Sequence, residues 1–227
     1  MNPTVSVTLG HLAELARLES GTDRTDKGSL DHNFLEIYEK FFFQWIDVPI
    51  RILEIGVYDG GSLGLWYDYF TKANIFGIDI YPKTDFENNR IKTFVADQAN
   101  REQLQKFIDL NGGNFDIIID DGGHGMEQQQ VSLGFLFPFI NQGGYYIIED
   151  LHTSLPNMYP EFKATRESST LSMIENFSRK INIAPTIRSP YLNLSELEFL
   201  QNHIDSITTN TRIRGTGRSI TSLMKKK

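Results

Sequence analysis

Hydrophobic residues in this chain fall into short, almost continuous runs, which are separated by amphipathic stretches with a helical period. A short run that is apolar at nearly every position predicts a strand buried on both faces, as in a parallel sheet. Strands that alternate with helices predict βαβ units, so we predict a doubly wound α/β fold with a mostly parallel sheet. The predicted strands are 51–56, 74–80, 91–95, one that starts at Phe115, and 144–150, and the helices between them are 62–70, 100–110 and 126–137.

Two more helices are predicted before the first strand. Residues 8–19 carry leucines at helical spacing, and Gly21 is suited to end that helix. Residues 21–31 are polar and predict a loop. Asp31 is a candidate cap for the second helix, which has a broad aromatic face and stops at Pro49. These helices form an extension over the core, and we expect it to serve packing, dimer contact or a lid over the site.

This pattern divides the chain into a helical extension or lid, residues 1–48, and one main domain, residues 49–227. After the last parallel strand the pattern loosens, and residues 151–167 predict a loop of a length usually reserved for function. The chain is then predicted to finish with helices over 170–179 and 195–201 and an antiparallel hairpin with strands 204–213 and 219–224 around the turn 214–217.

Composition excludes several classes of protein. A chain of 227 residues with 40% hydrophobic content buries one good core, and its net charge of −7 disfavours nucleic-acid partners. The absence of cysteine excludes disulfides and thiolate metal sites. Residues 1–10 lack the pattern of a signal peptide, and no apolar run approaches the roughly 20 residues of a membrane span. We therefore expect a soluble, cytoplasmic protein without membrane or nucleic-acid partners.

Acidic residues follow two of the buried strands. Asp120 and Asp121 end one strand, with His124 shortly after them, and Glu149 and Asp150 end the other. Side chains at the carboxyl ends of parallel strands meet at the edge where open α/β folds bind ligands. Sequential carboxylates at such an edge repel one another unless a cation joins them. The pattern therefore predicts a metal site with a base beside it.

A glycine-rich turn, residues 56–61, follows the first strand and lets the backbone approach a ligand closely. Its spacing differs from the dinucleotide fingerprint, because Tyr58 stands where the second glycine belongs. Asp79 ends the next strand about 20 residues later, where a carboxylate accepts ribose hydroxyls. Asp97 follows the third strand, where a carboxylate would accept the exocyclic amine of adenine. Three such features on successive strands indicate a nucleoside site.

The glycine turn, Asp79 and Asp97, in this order on successive strands, resemble the cofactor site of class I S-adenosylmethionine-dependent methyltransferases. Residues 54–61 (EIGVYDGG) resemble the first motif of these enzymes. The resemblance implies a Rossmann-like methyltransferase sheet with S-adenosylmethionine as methyl donor. It also implies that Glu54 and the glycines line the methionine portion, that Asp79 binds the ribose, and that Asp97 with Gln98 borders the adenine. The predicted cofactor-binding residues are Glu54, Gly56, Tyr58, Gly60, Ser62, Asp79, Asp97, Gln98 and Asp120.

The acidic motifs resemble a narrower group, the metal-dependent sugar O-methyltransferases of macrolide pathways. That resemblance implies that Asp121, Glu149 and Asp150 hold Mg²⁺, with Asp121 and His124 as catalytic residues and His124 as general base. It extends over about 21–152, including Gly21, Thr22, Asp23, Lys27 and His32 of the N-terminal segment, whereas the region after Pro156 departs from the family pattern.

Several alternatives stay open. Asp120 is suited to cap a turn, orient a neighbour or touch the metal, His124 is itself a potential metal ligand, and His152 is a second candidate base. His11, His32 and His203 are interpreted as ordinary polar residues, apart from an acceptor contact by His32 if the extension folds over the site.

The predicted reaction is transfer of a methyl group to a hydroxyl of a sugar, a glycosylated natural product or a glycan. A hydroxyl is a poor nucleophile, and Mg²⁺ would lower its proton affinity while an imidazole takes the proton. Rival functions are methylation of a catechol-type diol and non-catalytic adenosyl binding, and a nicotinamide oxidoreductase is disfavoured by the glycine spacing. The phenylalanine-rich helices of the extension predict a homo-oligomer, because such a face is costly to leave in water.

Overall fold

A computed structural model describes residues 11–17, 23–178, 188–214 and 217–227. Parts of the predicted helix 8–19, the loop 21–31, the helix 170–179 and the turn 214–217 lie outside these residues. Gly21 and Thr22, which belong to the family-like N-terminal segment, also lie outside them.

The structure is an α/β fold built around one seven-stranded sheet. Its helices are α1 His11–Ala16, α2 Leu35–Phe42, α3 Gly61–Tyr69, α4 Arg101–Asn111, α5 Met126–Leu136, α6 Thr170–Ser178 and α7 Leu194–His203. Its strands are β1 Arg51–Ile55, β2 Asn74–Asp79, β3 Ile91–Val95, β4 Phe115–Asp120, β5 Ile140–Ile148, β6 Ile204–Arg214 and β7 Gly217–Lys226.

The strand order is β3-β2-β1-β4-β5-β7-β6. The first five strands pair in parallel, and β7 runs antiparallel to both β5 and β6. This confirms the mostly parallel sheet with a C-terminal hairpin. The chain order reverses between β1 and β4, and such a reversal opens a crevice at the carboxyl ends of the two strands.

Both faces of the sheet are covered, which explains the continuous apolar runs. On one face, Ile117 and Ile119 of β4 pack with α1, α2 and α3. On the other face, Ile118 packs with α4, α5, α6 and α7. Because successive side chains of a strand point to opposite faces, a strand between two helical layers must be apolar at successive positions.

The N-terminal extension shares the core of the main domain. Phe34, Tyr38 and Phe42 are fully buried in the same core cluster as Trp66 of α3, and the rings of Tyr38 and Phe42 pack against Trp66. The aromatic face that suggested association is thus covered within the chain itself. The structure removes that argument for a homo-oligomer.

The start of α2 differs from the sequence prediction. The helix begins at Leu35, its N-cap residue is Phe34, and Asp31 does not cap it. Residues 24–33 instead form a compact turn, in which the Phe34 amide donates to the Lys27 carbonyl over 2.9 Å. The predicted loop 151–167 also contains short 3₁₀ turns at Leu151–Ser154 and Pro160–Phe162. Across the described ranges, no helix is long and apolar enough to cross a lipid bilayer.

Candidate active site

A cavity of about 530 Å³ opens at the carboxyl ends of β1, β2, β3 and β4, where the strand order reverses. Its walls come from the glycine turn, the strand ends and residues 24–26 of the N-terminal segment. Six of the predicted cofactor-binding residues line it, namely Gly56, Tyr58, Ser62, Asp79, Asp97 and Gln98. The other three, Glu54, Gly60 and Asp120, do not line the cavity and act behind its wall.

The turn after β1 requires glycine at two positions. Gly56 has a φ of +89°, and a Cβ there would lie 2.1 Å from the carbonyl oxygen of Asp121. Gly60 has a φ of +77° at the N-cap of α3, and a Cβ there would meet the ring of Phe86 at 2.6 Å. Both positions need the left-handed region that glycine tolerates. The turn therefore packs directly against the loop after β4.

Asp79 anchors the glycine turn. Its Oδ2 accepts the amides of Val57 at 3.0 Å and Tyr58 at 3.1 Å, and its Oδ1 accepts the Tyr81 amide at 2.9 Å. The carboxylate therefore shapes the wall of the cavity in which it lies.

Asp120 positions Gln98 from behind the cavity. Its Oδ1 accepts a hydrogen bond of 2.9 Å from Gln98 Nε2, and its Oδ2 accepts from Ser132 and, at 3.3 Å, from Tyr146. Burial raises the pKa of Asp120 to about 6, and the hydrogen bonds from Ser132 and Gln98 oppose this shift. Gln98 Oε1 accepts the Gly123 amide over 2.7 Å. Asp120 thus orients a neighbour, one of the roles left open for it.

Asp121, His124 and Asp150 form the acid centre: one potential ligand atom from each lies within 4.8 Å of the other two. His124 Nε2 is 3.4 Å from Asp150 Oδ2. His124 and Asp150 have φ values of 55° and 53°, which are uncommon for residues other than glycine. Thr153 Oγ1 donates to the His124 carbonyl over 2.9 Å and holds this strained loop. Asp121 and His124 also line the cavity.

The carboxylate of Glu149 is not one of the three groups of the acid centre and has two other partners. Its Oε1 accepts a hydrogen bond of 2.8 Å from Tyr38, and its Oε2 lies 3.4 Å from Lys27 Nζ. Burial raises the pKa of Glu149 well above its usual value, although the Lys27 ammonium opposes the shift. Of the three predicted metal ligands, the structure brings Asp121 and Asp150 together with His124, and it pairs Glu149 with Lys27.

Glu54 lies on the same side as Glu149. Its Oε1 is 3.5 Å from Lys27 Nζ, and its Oε2 accepts a hydrogen bond of 3.1 Å from the Trp66 indole. Burial raises the pKa of Glu54 to about 7, with the Lys27 ammonium opposing the shift. In this structure Glu54 supports α3 instead of lining the cavity.

Two more imidazoles surround Asp150. His152 Nδ1 lies 3.6 Å and His32 Nε2 lies 3.8 Å from Asp150 Oδ1, and the two rings stack with centroids 5.9 Å apart. Burial lowers the pKa of His152, whereas Asp150 opposes that shift. His32 reaches the site from the N-terminal segment and is held by a contact of 2.6 Å between its Nδ1 and Ser219 Oγ.

The acid centre fits a hard divalent cation. Asp150 Oδ1 and His124 Nδ1 are buried and find no hydrogen-bond partner among the residues that the structure describes. Buried polar atoms are normally paired, so the unpaired Asp150 oxygen beside the Asp121 carboxylate indicates a place for a cation. Carboxylate oxygens are ligands that Mg²⁺ prefers.

The chain resembles known proteins in sequence and in fold. No protein-family model matches the chain. It is 38% identical over 148 residues to an 8-demethyl-8-(2-methoxy-alpha-L-rhamnosyl)-tetracenomycin-C 3'-O-methyltransferase from Streptomyces olivaceus, covering 62% of this chain and 37% of that protein. It is 37% identical over 137 residues to the mycinamicin VI 2''-O-methyltransferase from Micromonospora griseorubida, covering 57% of this chain and 34% of that protein.

A solved structure covers more of the chain. The MycE methyltransferase from the mycinamycin biosynthetic pathway, in complex with Mg, SAH and mycinamycin VI, superposes with a TM-score of 0.73 and 27% identity. The superposition covers 95% of this chain and 54% of that one. The chain is a relative of the macrolide sugar O-methyltransferases. Its fold is the class I methyltransferase fold, as the sequence predicted.

The chain spans little more than a third of the length of the curated relatives it matches, 37% and 34% in the two cases above. The superposition with the solved structure nevertheless includes 95% of this chain. The resemblance therefore bears on the fold.

Sequence reasoning missed several residues that build this site. The sequence places Lys27 and His32 in the family-like N-terminal segment, with an acceptor contact as one option for His32, and it places Tyr38 on an apolar helix face. It predicts no carboxylate partner for any of the three. Each contacts a carboxylate of the site from a distant part of the chain. A lone lysine in a polar loop carries no periodic signal, so only the folded chain identifies its partners.

Proposed function

We propose that this chain is an S-adenosylmethionine-dependent, Mg²⁺-assisted O-methyltransferase that acts on a hydroxyl of a sugar, free or attached to a larger molecule. One observation carries the proposal. Asp121 and His124, two members of the acid centre, also line the cavity that holds the predicted nucleoside-binding residues. A methyl donor in this cavity would thus share a wall with a base and a metal-ligand set, which is the juxtaposition that methyl transfer to a hydroxyl requires.

The nucleoside would be held by residues from four strand ends. The glycine turn provides close backbone approach, and Asp79 and Asp97 provide carboxylates for the ribose and the adenine. Gln98, which Asp120 fixes by a hydrogen bond, would border the adenine. Arg24, Thr25 and Asp26 close the cavity from the N-terminal segment.

Asp121 and Asp150 would hold the metal ion, with Glu149 behind them in contact with Lys27. When bound, Mg²⁺ would lower the proton affinity of a chelated hydroxyl. Supporting this part of the proposal, a related structure contains Mg together with SAH.

His124 is the proposed general base. A proton that its Nε2 takes from the acceptor hydroxyl would lie 3.4 Å from the Asp150 carboxylate, which stabilises the imidazolium. The Thr153 hydroxyl holds the His124 backbone and so keeps the ring directed at the centre. His152 is also near Asp150, but it does not line the cavity, which favours His124.

The test begins with calorimetric titration of S-adenosylhomocysteine into the protein, once with Mg²⁺ and once with a chelator. We expect binding in both buffers, because the nucleoside residues and the metal ligands are different side chains. An acceptor screen of rhamnosides, other glycosides and catechols then follows methyl transfer by mass spectrometry.

We expect methyl transfer to a glycoside, and we expect its rate to fall when a chelator is added and in the Asp121→Asn variant. His203→Ala is the control, because its imidazole stacks on Phe199 and does not line the cavity. Failure of the folded protein to bind S-adenosylhomocysteine would overturn the proposal. Transfer to catechols alone would replace the sugar by an aromatic diol.

A further inference from the structure

The Lys27 side chain is completely buried in the middle of the site. Its ammonium contacts Asp121 Oδ2 and lies 3.4 Å from Glu149 Oε2 and 3.5 Å from Glu54 Oε1. These carboxylates come from the ends of β4, β5 and β1, whereas Lys27 comes from the turn before α2. One ammonium has three N–H donors, so three facing carboxylates match its bonding capacity.

The surroundings favour a cation at this position. An ion without compensation is very costly to bury, and a lysine in an apolar interior would lose its charge. Here the carboxylates of Asp121, Glu149 and Glu54 all face the Lys27 ammonium and compensate its charge. Glu54 Oε1 has no hydrogen-bond donor within the described part of the chain, so the ammonium is the group that balances it.

The backbone holds Lys27 in place as firmly as the carboxylates do. Its carbonyl accepts the amides of Phe34 at 2.9 Å and Leu35 at 3.3 Å, which ties the residue to the first turn of α2. Phe34 is fully buried in the core. The ammonium is therefore delivered by a rigid element and not by a mobile surface chain.

We propose that Lys27 is a built-in cation of the site, a positioning residue that takes the place of a second metal ion between Glu54, Asp121 and Glu149. The inference rests on the proposed function only in that it places the metal at Asp121 and Asp150. Asp121 is then shared: it faces the ammonium on one side and the acid centre on the other. A single divalent ion is enough, because the second cation is a side chain.

Removing the ammonium leaves three carboxylates facing one another without a counter-charge. Such groups either take up protons or bind another cation. In Lys27→Ala the vacated space is large enough for an ion, whereas Lys27→Met fills it with an uncharged chain of similar length. The two variants therefore separate the loss of charge from the loss of volume.

The experiment titrates Mn²⁺ into the full chain and counts free Mn²⁺ by electron paramagnetic resonance. We expect one bound Mn²⁺ for the wild-type protein and two for Lys27→Ala, with Lys27→Met keeping one. Glu149→Gln combined with Lys27→Ala should return the count to one. Lys72→Ala, which removes a lysine from a surface ion pair with Asp47, should bind one ion like the wild type.

The outcomes are distinguishable. If the wild type binds no Mn²⁺, the proposed metal site itself fails. If the wild type binds one ion and Lys27→Ala also binds one with unchanged affinity, the inference about Lys27 is overturned. Should Lys27→Ala not fold, the Lys27→Met variant decides: we expect it to bind its one Mn²⁺ at least tenfold more tightly than the wild type, because no ammonium then neutralises Asp121 and Glu149. Wild-type affinity in that variant would contradict the proposal.

Discussion

Tyr38 donates a hydrogen bond of 2.8 Å to Glu149 Oε1, although the two residues are 111 positions apart in the sequence. The bond joins α2 of the extension to the end of β5. With Lys27 on the other oxygen of the same carboxylate, it places the N-terminal segment inside the site. The extension is therefore part of the wall that supports the acid centre.

Tyr38→Phe tests this link. Without the hydroxyl, a buried carboxylate oxygen of Glu149 loses its hydrogen-bond donor, which should lower the free energy of unfolding by about 1–3 kcal/mol. Urea unfolding followed by circular dichroism measures it. Tyr69→Phe is the matched control, because the buried Tyr69 hydroxyl finds no partner among the described residues and its removal should be almost neutral. Equal losses in the two variants would contradict the role of Tyr38.

Gly56→Ala should disrupt the cavity. Its Cβ would lie 2.1 Å from the Asp121 carbonyl, so both the glycine turn and the loop after β4 must move. We expect a loss of S-adenosylhomocysteine affinity of at least tenfold by calorimetry. Gly143→Ala is the control: Gly143 also has a positive φ, but in the described structure no atom lies within 4 Å of the new Cβ. It should cost only about 1–2 kcal/mol of backbone strain and leave the affinity unchanged.

His124→Asn should separate the base from the metal ligands. Asparagine tolerates the left-handed backbone found at this position, so the loop is retained while the imidazole is lost. We expect kcat to fall by roughly 10²–10⁴, with unchanged affinity for S-adenosylhomocysteine and Mn²⁺. A large loss of Mn²⁺ affinity would instead identify His124 as a ligand.

The stability of the protein should depend on pH through Glu54. Burial raises the pKa of Glu54 from its usual 4.5 to about 7 in the folded state. Between pH 4.5 and pH 7 the folded protein keeps a proton on Glu54 that the unfolded chain has released. The stabilisation of the folded state by protonated Glu54 is therefore fully present below pH 4.5 and is lost as the pH rises through 7. The full effect is roughly 3 kcal/mol.

Glu54→Gln cannot release a proton, and its oxygen can still accept from the Trp66 indole. Urea unfolding of the chelated proteins between about pH 5 and pH 8 should therefore show a steeper decline for the wild type than for the variant. Parallel curves would show that Glu54 does not titrate in this range.

The order of strands and helices was predictable because its signals are local. The strand predicted to start at Phe115 is present as β4, because positions in a strand between two helical layers are under pressure to be apolar. The start of α2 was not predictable in the same way. Asp31 has the chemistry of a cap, but the turn that contains Lys27 displaces the helix start to Leu35.

Some residues of the candidate site were likewise predictable from local sequence, and others were not. Asp79, Asp97, Asp121 and Asp150 each follow a buried strand, and parallel strands bring their ends to one edge whatever the details of packing. Glu149 also follows a strand, yet the direction of its carboxylate depends on Tyr38 and Lys27. Adjacency in sequence therefore did not decide which of the two neighbouring acids faces the centre.

The amino-acid sequence alone determined the α/β architecture, the edge of the sheet that carries the chemistry and most of the residue types found there, because hydrophobic periodicity and strand ends are properties of consecutive residues. Only the tertiary structure decided which groups balance the charges. Lys27 meets Asp121 across 94 positions of sequence. Whether a buried carboxylate faces a lysine, a tyrosine or an open cavity depends on how separate elements pack, and no local pattern of residues records that.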